Sequence, residues 1–183
     1  MEKAKKAPSQ VLKLTVILFL VSAITSGVLG FTNQLTEERI AEQKRLKTAM
    51  AYNAVLPYDG DYTPVEDFDS EMYPTVDSIS KAGDAGYVVE LTFSGAQGSI
   101  TAAVGVDNNN TVTGVSIIGH SETPSLGARI TEDSFRDMFV GETEGVALTK
   151  SGGNIEAITS ATISSQAVVD AVNTAIEVVK DLG

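Results

Sequence analysis

The chain has no cysteine, no tryptophan and a single histidine in 183 residues. Without cysteine there is no disulfide framework, thiolate metal site, cysteine nucleophile or cysteinyl iron–sulfur cluster. One histidine and no cysteine leave no ordinary zinc ligand set. Glycine-rich phosphate loops of the Walker or dinucleotide type are missing, as is a Gly-x-Ser-x-Gly nucleophile elbow. Redox work by this chain therefore calls for a bound organic cofactor.

Positive charge is scarce after the first third. Residues 1–52 hold eight Lys/Arg against four Asp/Glu, whereas residues 53–183 hold five against twenty. A part this acidic lacks the basic surface that neutralises phosphates, which argues against nucleic-acid binding. The hydrophobic share of 43% suits one medium domain plus an anchor.

Long charge-free runs are absent except at the start, where none of Leu14 to Thr36 is charged. That run is long enough to cross a hydrocarbon core as a helix. Lys3, Lys5, Lys6 and Lys13 precede it, a pattern shared by signal peptides and signal anchors. Small-residue cleavage sites are weak here, which favours a retained anchor. The basic tail places residues 1–13 in the cytoplasm and the remainder outside a cell membrane. Apolar residues recur at loose helical spacing from Thr36 to about Val55, so a stalk continuing the membrane helix, or a helix that binds a partner, is expected there.

Pro57 to Pro74 carries three prolines, and six acids fall within Asp59–Glu71, which reads as an irregular linker. Residues 37–80 thus form stalk and acidic linker, and a head domain spans 81–183. In the head, Gly86–Ser94 alternates apolar and polar, and Ser99–Asp107 and Thr111–Gly119 are β-branched runs joined by Asp107-Asn108-Asn109-Asn110. Such a turn predicts an antiparallel hairpin. Thr131–Val140 predicts a short helix with Thr131 as N-cap, and Glu144–Lys150 and Asn154–Thr159 predict short strands. A last helix opening at Ser164 or Ser165 carries the apolar stripe Ala167, Val168, Ala171, Val172, Ala175, Ile176 and Val179. The fold class is α+β, an antiparallel sheet with packed helices, preceded by one N-terminal transmembrane helix.

Two segments have the composition of a site. His120–Arg129 leaves a strand end and contains Pro124 and Gly127, the marks of a shaped loop. Thr159 to Ser165 packs five hydroxyl residues into seven positions just before the last helix. Hydroxyls at a helix start face unpaired N–H groups and the positive end of the macrodipole, which favour a phosphate; an ordinary cap has the same composition.

Those segments resemble two motifs of RnfG, the FMN-binding member of Rnf electron-transport complexes, a family related to NqrC of the sodium-pumping NADH:quinone oxidoreductase. His120–Gly127 is similar to the family's His/Gln-x-Glu-Thr-Pro-x-Leu-Gly loop. Glu156–Thr162 is similar to its Asp-x-x-Ser/Thr-Gly-Ala-Thr flavinylation motif. The resemblance implies covalent FMN on Thr162 through a phosphoester, within a segment that includes Ser160 and Ala161. It implies that Glu122, Thr123, Leu126 and Gly127 lie against the isoalloxazine ring, and that Lys150 contacts ring or phosphate. A flavin transferase for maturation and the other membrane subunits of an ion-translocating ferredoxin:NAD oxidoreductase are the partners it implies. The chain would then be an electron carrier without a complete active site of its own. Departures from the motifs are Glu156 for Asp, Ser160 for Gly, and Ser125 where the loop usually has Gly. Two other readings stay open: a membrane-anchored binding or sensory domain without flavin, and a solitary flavodomain of another extracytoplasmic reductase.

Overall fold

A computed structural model describes residues 7–182. Lys3, Lys5 and Lys6 of the basic tail lie outside the described residues. Two compact units are present, one ending at Leu46 and the other beginning at Lys47.

Helix α1 spans Ala7–Val55. Within it, Gln10–Gln34 forms a 25-residue apolar span of mean hydropathy 2.2, long enough to cross a membrane. Thr15, Thr25 and Thr32 each turn the side-chain hydroxyl back onto the carbonyl four residues earlier. That pairing satisfies polar groups which hydrocarbon would leave unpaired.

The second unit is built on a five-stranded antiparallel sheet in the order of the chain: β1 (Thr63–Val65), β2 (Val76–Lys81), β3 (Tyr87–Ser94), β4 (Ser99–Val106) and β5 (Val112–His120). Alternation in β3 puts Val89 and Leu91 on one face, and β4 adds Ile100 and Val104. Asp107 shapes the β4–β5 turn by accepting the backbone N–H groups of Asn109 and Thr111, both at 2.8 Å, while Asn110 takes a φ of 60°.

Helix α3 (Thr162–Leu182) lays Val168, Val172, Ala175, Ile176 and Val179 on that face. Each of these valine and isoleucine side chains, fully withdrawn from water, contributes roughly 1.5–3 kcal/mol. The opposite face receives the end of α1, where Ala51, Tyr52 and Val55 pack with Val88 and Ala103. A Cβ on Gly105 or Gly114 would strike the Val55 backbone, so this contact needs glycine on the sheet. Thr113 Oγ1 donates to the Val55 carbonyl and Tyr62 OH to that of Leu56, pairing acceptors that a helix end leaves open.

Several local expectations change. Strand β1 and all of β2 except Lys81 fall within residues 37–80, the stretch read as stalk and acidic linker. Thr131 is not an N-cap: helix α2 (Asp133–Arg136) has Glu132 in that place, and Thr131 Oγ1 donates to the Ala128 carbonyl. Residues 144–159 form no strand pair, only one parallel bridge between Leu148 and Ile155. Asn173 explains the difference, because its side-chain amide takes both the N–H and the C=O of Val146 and ties that segment to α3. Helix α3 opens at Thr162, ahead of Ser164 and Ser165.

Candidate functional site

The start of α3 decides how the hydroxyl run is used. The residue just before the helix is Ala161, whose carbonyl accepts the N–H of Ser165 at 2.9 Å. Alanine has no side-chain oxygen, so the run does not supply the usual N-cap. Its hydroxyls have separate fates. Ser165 is fully buried, where its Oγ accepts the Ile158 N–H and donates to the Ala161 carbonyl, both at 3.0 Å. Ser164 is also fully buried, and its Oγ donates to Glu122 Oε2 at 2.7 Å. Thr159 and Ser160 are exposed, and Thr162 is half-buried.

Glu122 is the counterpart of Ser164 from the loop after β5. Its side chain is 5% exposed, and its second oxygen accepts the Gln97 N–H at 3.2 Å. A Cβ on either Gly95 or Gly127 would collide with this carboxylate. The two glycines therefore make the slot in which a charged group sits inside the protein with donors on both oxygens. Directly before it, His120 Nδ1 accepts the Glu122 backbone N–H at 3.2 Å. The loop then turns tightly: the Thr123 carbonyl accepts the N–H groups of Leu126 and Ala128, and Ser125 takes a φ of 65°.

These elements enclose a cleft of about 380 Å³ lined by Gln97, Glu122, Leu126, Gly127, Ser160 and Thr162, among others. Thr123 and Ala161 also line it. A second cleft of about 410 Å³ opens on the other side of Thr162, bounded by Phe93, Lys150, Gln166 and Asp170. Thr162 and Ile163 are common to both. Lys150 reaches this place from a single helical turn, Thr149–Ser151, which Gly152 ends with a φ of 87°. All eight residues singled out from the sequence thus line one or other of two adjoining clefts. Volumes of this size fall within the range of small-molecule sites.

Gly95, Gln97, Ile163 and Ser164 belong to the site as well, though no motif in the sequence marks them. Ser164 lies in plain view in the hydroxyl run, but only the fold brings it to Glu122. Ile163 and Leu126 are 67% and 44% exposed, large apolar side chains at the mouth of the Glu122 cleft. Ser160 and Ser125, the two positions where the motifs have glycine, both have φ of 65°. The backbone keeps the left-handed conformation, and serine bears its strain.

Residues 95–177 match the FMN-binding domain family, a span that covers the Glu122 cleft and Thr162. Residues 1–55 match the RnfG N-terminal region. The G component of the ion-translocating oxidoreductase complex of Methanosarcina acetivorans is 36% identical over 178 residues, covering 93% of this chain and 95% of that one. The G component of the Na(+)-translocating ferredoxin:NAD(+) oxidoreductase complex of Acetobacterium woodii is 32% identical over 193 residues, covering 94% of this chain and 93% of that one. Among solved structures, the C component of the Na(+)-translocating NADH-quinone reductase of Parabacteroides distasonis superposes with a TM-score of 0.48 at 20% identity, over 73% of this chain and 82% of that one. With both of its parts matched and nearly its whole length aligned, the chain belongs to the RnfG family of ion-translocating oxidoreductase complexes, and its head is an FMN-binding domain.

Proposed function

We propose that this chain is the membrane-anchored electron-relay subunit of an Rnf-type ion-translocating ferredoxin:NAD oxidoreductase, and that it carries FMN on Thr162 as a phosphoester. The observation that supports this most is the position of Thr162. It is the first residue of α3, half-buried, with an alanine in place of a cap and a cleft on either side.

The residues present fit the group. The first N–H groups of α3 lack carbonyl partners within the helix and point toward the Thr162 end, where an anionic phosphate is stabilised. Lys150 adds a positive charge at the second cleft. Leu126 and Ile163 offer apolar surface for a flat ring, and covering them with the ring removes that surface from water. Glu122, Thr123, Gly127, Ser160 and Ala161 complete the lining.

FMN supplies one- and two-electron exchange, which lets it link carriers of either kind. The chain's part is to hold it. Covalent attachment keeps the cofactor where free flavin would diffuse away, and the Glu122–Ser164 pair fixes the loop against the helix that bears it. A flavin transferase is the maturation partner, and the remaining membrane subunits supply and remove electrons.

In this reading residues 1–13 are cytoplasmic, 14–36 form the anchor, 37–46 are the stalk, and the unit that begins at Lys47 and holds the five-stranded sheet is the extracytoplasmic FMN-binding head. The Lys3, Lys5, Lys6 and Lys13 cluster before the apolar span supports that orientation. The test is production of the full chain with and without a flavin transferase, followed by a denaturing gel viewed for flavin fluorescence. A band that needs both the transferase and Thr162 is expected. A dark band with an active transferase would overturn the proposal.

A further inference from the structure

Glu122 is the one ionisable side chain lining the first cleft among the described residues. It is also among the few buried polar residues of the head, at 5% exposure. The Ser164 hydroxyl and the Gln97 N–H each meet one of its two oxygens, so both are occupied by hydrogen bonds. The glycines at 95 and 127 leave this group no room to turn away. Charges in the neighbouring cleft differ in kind. Lys150 and Asp170 are of opposite sign and exposed, so their fields partly cancel and water screens them. His120 is exposed as well and meets Glu122 only through the backbone N–H.

A buried charge acts through a low effective dielectric, and its field is felt more strongly than that of a surface charge at the same distance. A flavin gains negative charge when it accepts electrons. A fixed negative charge in its cleft opposes that gain.

We infer that Glu122 sets the redox potential of the flavin, holding it lower than the same cleft would with a neutral side chain. This rests on the placement of FMN at Thr162. The number of electrons exchanged is unchanged: the flavin takes them from a reduced partner carrier and returns them to an oxidised one. Glu122 shifts the equilibrium between those carriers and undergoes no reaction itself.

The test is a spectroelectrochemical titration of the full chain in detergent after flavin loading, at one fixed pH. Glu122→Gln keeps size and shape and removes the charge. Its midpoint is expected to rise by at least the equivalent of tenfold in the equilibrium constant, about 30 mV for a two-electron couple. Ser164→Ala keeps the charge and removes one hydrogen bond, so its midpoint is expected to stay level or fall. A purely structural role would move both variants in the same direction.

Gln97→Lys is the companion measurement, because residue 97 is exposed and the change leaves the buried pair intact. It places a compensating charge at the rim of the cleft and is expected to raise the midpoint by less than Glu122→Gln. A loaded Glu122→Gln chain with an unchanged or lower midpoint would overturn the inference. If that variant fails to load, a Ser164→Ala midpoint above the parent's would do so. A parent chain with no fluorescent band on the gel contradicts the Thr162 assignment instead, and is recognised before any titration.

Discussion

Ser164 and Glu122, 42 positions apart in sequence, meet as a buried hydroxyl–carboxylate pair at 2.7 Å. Ser164 stands two residues after Thr162, and Glu122 begins the loop that walls the cleft beside it. Through this bond the loop and the helix start act as one piece. A hydrogen bond to a charged group contributes about 1.5–3 kcal/mol, and the donor's loss leaves part of a buried charge unpaired. Ser164→Ala should therefore lower unfolding stability by that amount in a urea titration. Gly127→Ala should cost about 1–3 kcal/mol by overfilling the carboxylate's slot. Stability at the parent level in both variants would mean that the slot is looser than its geometry implies.

Ser160 supports a second prediction. Its φ of 65° is a conformation that costs a residue with a Cβ about 1–2 kcal/mol. Ser160→Gly removes that strain and frees the unfolded chain, so stability should stay level or rise by up to about 1 kcal/mol. Ser160→Val adds a β-branch where such residues are outliers and should lose about 1 kcal/mol or more. Flavin loading followed by gel fluorescence over time should be at least as fast in Ser160→Gly as in the parent. Slower loading would show that the serine hydroxyl itself assists attachment.

Tyr73 gives a pH-dependent prediction away from the site. Its hydroxyl donates to Asp181 Oδ2 at 2.5 Å, joining the acidic segment to the end of α3. That bond, with smaller help from burial and nearby acids, pushes the phenol pKa up from 10.0 to about 12. The neutral form is thus favoured in the folded state. The contribution is complete below pH 10 and is lost as pH rises through about 12. Thermal melts of the parent and Tyr73→Phe should differ near neutral pH and converge toward pH 12. A gap that stays constant across that range would rule out the bond as its source.

Much of the fold can be read from local pattern. The alternation of Tyr87–Ser94 and the Asp107–Asn110 turn identify β3 to β5, because period and turn chemistry are local properties. Val76–Lys81 carries no comparable signal: it is short, follows the proline-rich acidic run, and becomes a strand by pairing with β3. Leu148 and Ile155 have the pattern of two strands and form a single bridge, since Asn173 takes the backbone groups of Val146. At the site, Thr162 is singled out by its neighbours in sequence. The Glu122–Ser164 bond and the demand for glycine at 95 are not, because they arise only when β4, the loop and α3 come together.

Peptide mass spectrometry locates the flavin on Thr162 or elsewhere. The full chain is produced with an active flavin transferase, digested, and the peptide spanning Glu156–Gln166 is sequenced by fragmentation. An FMN phosphoester on Thr162 is expected, with no modified peptide from Thr162→Ala. An unmodified Thr162, or flavin attached to another hydroxyl of the run, would contradict the Thr162 assignment.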